Sequence, residues 1–214
     1  YEIKYHVDDS KSLEEGEKII TDTFAESVAA HQIADVEVGC FLSSGVDSSF
    51  VVNEVAKGTP HVKSFSVGYA EEKYSELPYA QEFSKEIGVP SIANKVDAEQ
   101  FFEANRLIQW YLDEPMPNPA EVPLYFLAQN ARKYVKVVLS GEGADELFGG
   151  YPMYLAGMHF DHYTHRVPRP LRRAAGAAAS KLPAFKGKNF LVRGAMEPYQ
   201  RYMRSNYVFT PVSY

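Results

Sequence analysis

The stretch VEVGCFLSSGVDSSFVVNEVAKG, residues 36–58, combines three local structures in direct succession. Its first part, residues 36–42, is dominated by apolar residues, as is typical of a strand buried in a sheet. The polar turn SSGVDS follows, and residues 48–57 have the composition of a helix that ends at Gly58. A strand, a glycine-containing turn and a helix in this order predict one unit of a parallel α/β sheet.

Strands and helices are predicted to alternate on both sides of this stretch. Further strands are expected at residues 62–69, 91–96 and 136–141, and helices at residues 12–34, 77–87, 98–112 and 124–134. The alternation predicts a parallel sheet of about five strands with helices on both faces. The ends of the strands near residues 42 and 140 are expected to lie close together, at the edge where such sheets bind ligands.

Two segments depart from this alternation. The segment DEPMPNPAEVP, residues 113–123, holds four prolines and is expected to be irregular. After Tyr151 the pattern weakens, and residues 166–188 are expected to form short helices with loops. We therefore predict a core of residues 1–155 and, in residues 156–214, a truncated helical or irregular extension of the same domain.

Composition and charge exclude several classes of protein. With 214 residues, 45% of them hydrophobic, the chain is long enough to bury the core of one domain. Its formal net charge of −6 argues against a nucleic-acid partner, because such surfaces require clustered Lys and Arg. No apolar run approaches the ~18 residues of a membrane-spanning helix. The single cysteine, Cys40, favours a reducing compartment, which we take to be the cytoplasm, and its apolar strand predicts an inert core thiol.

The turn SSGVDS, residues 43–48, carries the groups of an anion-binding site. Gly45 permits a tight backbone turn, the serines supply hydroxyl donors, and the following helix offers unpaired N–H groups at the positive end of its dipole. Asp47 would repel a phosphate unless it binds Mg²⁺. The turn has no lysine and does not match the Walker phosphate loop. The alternative is a serine-rich turn that only caps a helix.

A second group of polar residues follows the last predicted strand. Ser140 and Gly141 end that strand in VLSGEGADELFGGY, residues 138–151. Three carboxylates follow within one short loop: Glu142, Asp145 and Glu146. Carboxylates this close repel one another unless a cation or a substrate amine lies among them. The alternative is an acidic surface turn, but the cluster falls where the first turn also predicts a ligand.

Both loops resemble known signatures. SSGVDS resembles the S-G-G-x-D-S loop of the N-type ATP pyrophosphatases, with Ser44 at the position of the first glycine. A serine there is costly if the position requires a positive φ. SGEGADELFGGY resembles the asparagine synthetase signature S-G-E-G-[SA]-D-E-x-F-G-G-Y, and the order of the segments DVEVGCFLSSGVDSS, SFSVGY and DEPMPNPAEVPLY also fits that family. The resemblance covers residues 20–155 well and the tail to Tyr207 more loosely. It implies a PP-loop fold of the adenine-nucleotide alpha hydrolase kind.

The resemblance also implies roles for individual residues. The adenine and ribose of ATP would be lined by backbone groups of Leu42, Val67, Ser140 and Gly141. The pyrophosphate and its Mg²⁺ would be held by Ser43, Gly45, Asp47 and Ser48. Asp145 would be the second metal ligand, and Glu142 would serve formation of the aspartyl-adenylate and proton transfer from ammonia. The catalytic lysine of the family has its motif beyond Tyr214.

The activity that the resemblance implies is asparagine synthesis from aspartate, ATP and ammonia, with AMP and pyrophosphate as products. In the glutamine-hydrolysing form of the family an N-terminal glutaminase domain supplies the ammonia, and we expect that domain upstream of Tyr1. A homodimer is compatible with this interpretation. Two alternatives remain, because the loops do not specify the carboxylate. One is a related synthetase that adenylates another carboxylate, of the β-lactam or lasso-peptide kind, and the other is a nucleotide-binding module without catalysis.

Two weaker patterns are interpreted as structural. Asp113 and Glu114 could contact the aspartate substrate, but a solvated, proline-rich connection is favoured. Three histidines at spacings of three residues could share a helix face and bind a metal, but exposed surface histidines are favoured. These are His159, His162 and His165.

Overall fold

The computed structural model describes residues 4, 6–114, 118 and 120–205, with Ser205 described by its backbone only. The chain divides into two compact units, Tyr1–Gly143 and Ala144–Tyr214. Our division of the chain into a core and an extension after residue 155 stays a prediction. No helix in the described ranges combines the length and the apolar character that a membrane span requires.

Strands and helices alternate along the first unit. Its strands are β1 (Val38–Phe41), β2 (Ser64–Tyr69), β3 (Ser91–Val96) and β4 (Val137–Leu139). Its helices are α1 (Leu13–His31), α2 (Val46–Gly58), α3 (Leu77–Glu86), α4 (Ala98–Leu112) and α5 (Glu121–Ala131). All strand pairs are parallel, in the order β3-β2-β1-β4. The parallel sheet is therefore confirmed, with four strands in the described residues rather than about five.

Helices cover both faces of this sheet, as predicted. Successive side chains of a strand point to opposite faces, so neighbouring residues of β1 pack on different helices. Cys40 belongs to an apolar cluster with Val28 of α1 and Val52 of α2. Phe41 packs instead against the cluster that contains Phe65 of β2 and Ala131 of α5. Burial on both faces explains why β1, with the sequence VGCF, has no polar side chain.

Local capping signals explain where two of the helices begin. Ser12 and Glu15 form a capping box at α1: Ser12 N–H donates to Glu15 Oε2 over 2.8 Å, and Glu15 N–H donates to Ser12 Oγ over 3.2 Å. Asp97 and Gln100 form the same arrangement at the start of α4. That helix spans residues 98–112, the range predicted from the sequence.

Two helices begin earlier than predicted. Helix α2 starts at Val46 instead of residue 48, which places Asp47 in its first turn. Helix α5 starts at Glu121, so the prediction of irregular structure is wrong for residues 121–123. Pro123 is accommodated there because the first N–H groups of a helix have no partner within it, so the missing N–H of proline costs nothing. Residues 115–117 and 119 of the proline-rich segment lie outside the described residues.

The second unit is mainly helical in its described part. Its helices are α6 (Ala144–Phe148), α7 (Pro152–Arg166), α8 (Arg169–Lys181), α9 (Lys188–Gly194) and α10 (Pro198–Ser205). Gly176 lets α8 and α9 approach closely, because a Cβ at this position would lie only 2.5 Å from Ala195 Cβ. The buried Arg172 joins the same helices by donating to the Gly194 carbonyl over 2.8 Å. Residues 166–188 thus contain one helix of 13 residues, α8, flanked by loops, where several short helices were predicted.

Candidate functional site

Two serine hydroxyls hold the loop after β1 in shape. Ser43 N–H donates to Ser48 Oγ over 3.1 Å, and the two hydroxyl oxygens lie 2.9 Å apart. Gly45 N–H donates to Ser43 Oγ over 3.1 Å, and Ser48 Oγ donates to the Gly45 carbonyl over 3.2 Å. Ser48 is buried, whereas Ser43 is exposed. The pair therefore gives residues 43–48, called the first loop below, a defined conformation.

The start of α2 offers backbone donors that the helix itself cannot satisfy. Gly45 is the N-cap residue, with φ −73° and ψ 151°, and no side chain caps the helix. The first intrahelical bond runs from Ser49 N–H to the Gly45 carbonyl over 3.2 Å. The N–H groups of residues 46–48 precede that bond and have no acceptor within the helix. Free N–H groups at the positive end of a helix dipole suit an anion, as the sequence predicted.

Gly141 brings the second signature against the first. A Cβ built on Gly141 would lie 2.8 Å from Ser48 N, 3.0 Å from the Asp47 carbonyl carbon and 3.1 Å from Asp47 Cβ. Only a residue without a side chain permits this approach of two backbone segments. Since β1 and β4 are paired neighbours in the sheet, the ends of both strands lie together. The prediction that they would do so is confirmed.

Serine at position 44 fits the first loop without backbone strain. Among the described non-glycine residues only Asp113, with φ 62°, has a positive φ. Ser44 is therefore outside the left-handed region, and the cost considered for it does not arise. Its hydroxyl donates to Glu76 Oε2 over 2.8 Å. The sequence patterns did not single out Glu76, because this contact joins residues that are 32 positions apart.

The ends of β1 and β2 are joined beside the first loop. Leu42 N–H donates to the Phe65 carbonyl over 2.9 Å, and Ser66 Oγ donates to the Leu42 carbonyl over 2.8 Å. Both backbone polar groups of Leu42 therefore have partners within the sheet. Val67 packs against the apolar cluster of α4 and α5. Sequence analysis missed Ser66, and the signal that could have identified it is a buried serine in an apolar strand, which requires a hydrogen-bond partner.

Among the described residues, the carboxylates of Asp47 and Glu142 have no protein partner. Asp47 is half-buried and Glu142 is exposed, and neither side chain forms an ion pair or hydrogen bond with another described residue. Glu142 N–H donates weakly to Ser140 Oγ over 3.4 Å, and Gly143 turns the chain with φ 91°. A carboxylate without a protein partner is available to a cation or to a substrate group.

The acidic loop continues into the second unit, where two glycines shape it. Asp145 lies in the first turn of α6, and its carbonyl accepts from Gly150 N–H over 3.0 Å. A Cβ on Gly150 would lie only 1.9 Å from Asp145 Oδ1, and Gly149 has φ 69°. Tyr151 donates its hydroxyl to Glu146 Oε1 over 2.7 Å. Of the predicted acidic cluster, Glu146 is thus engaged by a neighbouring side chain.

The weaker candidates have structural explanations. The three histidines of α7 are exposed, and His162 and His165 place their Nδ1 atoms 3.2 and 2.7 Å from carbonyl oxygens of the preceding turn. The described residues contain no group of three or more His, Cys, Asp or Glu side chains that could hold a metal ion. Cys40 is fully buried, and burial raises the pKa of its thiol to about 12. It is therefore inert, as predicted. Asp113 is the exposed residue that ends α4.

Comparison with known proteins adds a family to this geometry. The family model described as asparagine synthase matches residues 20–207. A protein of Mycobacterium tuberculosis (strain H37Rv), provisionally named a glutamine-hydrolyzing asparagine synthetase, is 45% identical over 184 residues, which are 86% of this chain and 28% of its own. Asparagine synthetase [glutamine-hydrolyzing] 1 of Bacillus subtilis is 38% identical over 193 residues, 90% of this chain and 30% of its own.

Two more distant matches differ in name. The amidase ChyE of Penicillium rubens is 30% identical over 193 residues, 81% of this chain and 29% of its own. The match to the structure of the ammonia-dependent NAD synthetase of Campylobacter jejuni covers 88% of this chain and 92% of that chain, with a TM-score of 0.46 and 12% identity. The chain spans less than a third of the length of each of these three curated relatives.

Proposed function

Because this chain belongs to the asparagine synthase family, we propose that it carries the ATP-dependent amide-forming step of asparagine synthesis. The side-chain carboxylate of aspartate is activated as an acyl-adenylate with release of pyrophosphate. Ammonia then attacks the acyl carbon to give asparagine and AMP. The first step requires no base, because the carboxylate is already ionised at neutral pH, and its catalysis consists of positioning and charge neutralisation.

The contact of Gly141 with Asp47 and Ser48 is the observation that carries this proposal. This contact places the free N–H groups at the start of α2 beside Gly141 of the second signature, so one ligand can bind to both segments. We assign the pyrophosphate to Ser43, Gly45, Asp47 and Ser48, and the adenine and ribose to Leu42, Val67, Ser140 and Gly141. Since the Leu42 backbone groups are paired within the sheet, Leu42 contributes to the nucleotide site by its position rather than as a free donor.

Mg²⁺ fits the chemistry of this donor set. This ion prefers carboxylate oxygens in combination with phosphate oxygens of a substrate. Asp47 supplies a half-buried carboxylate at the end of a helix that suits phosphate, and no side chain in the described part of the chain pairs with it. Without a cation, that carboxylate would repel the phosphates. Asp145 is proposed as the second ligand, and Asp145→Asn tests that assignment separately from Asp47→Asn.

Glu142 is proposed to act in amide formation. Ammonia must lose protons as it attacks the acyl carbon, so a base nearby accelerates that step. Glu142 follows Gly141, which contacts the first loop, and its carboxylate has no partner among the residues that the structure describes. We also propose a role in forming the aspartyl-adenylate, which an isotope-exchange assay can separate from the second step.

The source of ammonia is a further proposal. The relatives from Mycobacterium tuberculosis and Bacillus subtilis are named as glutamine-hydrolyzing and are about three times as long as this chain. We propose that a glutaminase domain supplies the ammonia, that the protein acts in the cytoplasm, and that it forms a homodimer. Equilibrium sedimentation tests the last of these.

Pyrophosphate release measured against a panel of carboxylates tests the function. The protein, with whatever sequence flanks this chain naturally, receives Mg·ATP, ammonia and one carboxylate at a time. Release that depends on aspartate supports asparagine synthesis, whereas release with another carboxylate indicates a related synthetase. ATP binding without release for any carboxylate indicates a binding module. Asp47→Asn should abolish release, and Asp35→Asn, an exposed carboxylate at the opposite end of β1, is the matched control.

A further inference from the structure

The hydroxyl of Ser44 forms the only side-chain bond among the described residues that ties the first loop to α3. Ser43 and Ser48 bond within the loop, whereas Ser44 Oγ donates outward to Glu76 Oε2 over 2.8 Å. A serine hydroxyl has one hydrogen to donate. Because that hydrogen is directed to Glu76, Ser44 Oγ is left as an acceptor and does not attract a phosphate.

Glu76 is held in place by close packing on β2. A Cβ on Gly68 would lie 2.4 Å from Ser75 Oγ and 2.8 Å from Leu77 Cβ, so the residues on both sides of Glu76 pack directly against the strand. Leu77 is buried, and the Glu76 carbonyl accepts the first hydrogen bonds of α3, from Tyr79 N–H and Ala80 N–H over 3.1 and 3.3 Å. The Glu76 backbone is therefore fixed, although its side chain is exposed.

From this geometry we propose that Glu76 is a positioning residue for the first loop, acting through Ser44. The proposal rests on the function given above, in which the first loop binds the pyrophosphate of ATP. Glu76 is not itself a ligand of that anion, because a carboxylate repels phosphate. It orients Ser44, and with it the turn that leads into the free N–H groups of α2. The serine that replaces the signature glycine thereby gains a specific partner.

A double-mutant cycle tests this coupling without disturbing the fold. Ser44→Ala removes the donor and Glu76→Ala the acceptor, and the pair of changes is also combined. Glu76→Gln retains an acceptor oxygen but removes the charge. The Glu76 side chain does not cap α3, so Glu76→Ala removes no helix cap. Glu72→Ala, an exposed carboxylate four residues earlier, is the matched control.

Two quantities are measured for each variant: the Kd of Mg·ATP and the hydrogen exchange of the peptide that covers residues 42–50. Ser44→Ala and Glu76→Ala should each raise the Kd about fivefold, the effect of one solvated hydrogen bond, and should each speed exchange of the loop peptide. The double variant should bind Mg·ATP no more weakly than either single variant, because both substitutions remove the same interaction. Glu76→Gln and Glu72→Ala should behave like the unmodified chain.

Three results would overturn the proposal. The effects of Ser44→Ala and Glu76→Ala on the Kd of Mg·ATP could be additive, or Glu76→Gln could bind Mg·ATP as weakly as Glu76→Ala does. The third is that Glu72→Ala raises the Kd as much as Glu76→Ala. If the unmodified chain fails to bind Mg·ATP, the proposed function fails, and the exchange measurement still decides whether Glu76 orders the loop. Coupled exchange rates would then support the positioning role alone, and uncoupled rates would refute it.

Discussion

Replacing Gly141 by alanine perturbs the contact on which the proposed site depends. The added Cβ would meet three backbone or near-backbone atoms of the neighbouring helix, the closest being Ser48 N at 2.8 Å. Ordinary contact begins near 3.4 Å, so the end of β4 and the start of α2 must separate by about 0.6 Å to accept the methyl group. Gly141 has no positive φ, so this contact is the whole cost of the substitution.

Two effects of Gly141→Ala are expected, and their sizes differ. Overpacking of this kind costs about 1–3 kcal/mol of the free energy of unfolding, because backbone atoms cannot rotate away as a side chain can. The shift also separates the two loops that bind one ligand. Misplacement of catalytic groups by ~1 Å can reduce a rate by ~10²-fold, so we expect pyrophosphate release to fall at least tenfold.

Urea unfolding and pyrophosphate release, measured on the same preparation, check both effects. Gly16→Ala is the matched control, because Gly16 lies near the start of α1 and no atom lies within 4 Å of a Cβ built there. That substitution should stabilise the chain by about 0.5–1 kcal/mol and leave release unchanged. If Gly141→Ala unfolds at the same urea concentration as the unmodified chain and releases pyrophosphate at the same rate, the two loops do not form one site.

Three further predictions concern single side chains. Asp47→Asn keeps the shape of Asp47 but removes its charge, so it should abolish the Mg²⁺ dependence of ATP binding and leave the melting temperature unchanged. Titrations of ATP with and without Mg²⁺ measure this dependence, and its retention would contradict the metal role. Glu142→Gln should keep ATP binding and lower amide formation by about 10²-fold. Normal exchange of labelled pyrophosphate into ATP would support a base role for Glu142, loss of exchange would place it in the first step, and full asparagine synthesis would refute both. Cys40, whose pKa burial raises to about 12, should react with a thiol reagent at pH 8 only as fast as the chain unfolds, and fast labelling of the folded chain would show that its cluster is open. Because the unfolded thiol loses its proton first, the Cys40 contribution to stability should decline as pH rises above about 9.

The elements that the sequence predicted well are those defined by local signals. Strand β3 spans Ser91–Val96 and α4 spans Ala98–Leu112, as expected, because Asp97 and Gln100 cap the helix within four residues of the strand. The two signatures were located for a similar reason, since each lies in one continuous segment. The contact between the two signatures could be predicted as well, because the carboxyl ends of neighbouring parallel strands share one edge of the sheet.

Features that depend on tertiary packing could not be predicted. Helix α2 begins at Val46, two residues early, because Ser43 and Ser48 bond across the turn and close it sooner than the composition suggested. Glu76 resembles any surface glutamate in the sequence, and only the close packing of Gly68 brings it to Ser44. No local pattern contains either fact.

The order of the strands has a consequence for how the chain folds. Strand β1 pairs on one side with β2, which lies only some 25 residues later in the chain. On its other side it pairs with β4, about a hundred residues further along, where Val38 lies opposite Val137. Closing the longer loop costs more chain entropy, so we expect β4 to dock after the rest of the sheet has assembled. Gly141 lies two residues after the end of β4, so it can contact Ser48 only then. On a ribosome, the first loop would emerge long before its counterpart, and the nucleotide site would be among the last features of the first unit to mature.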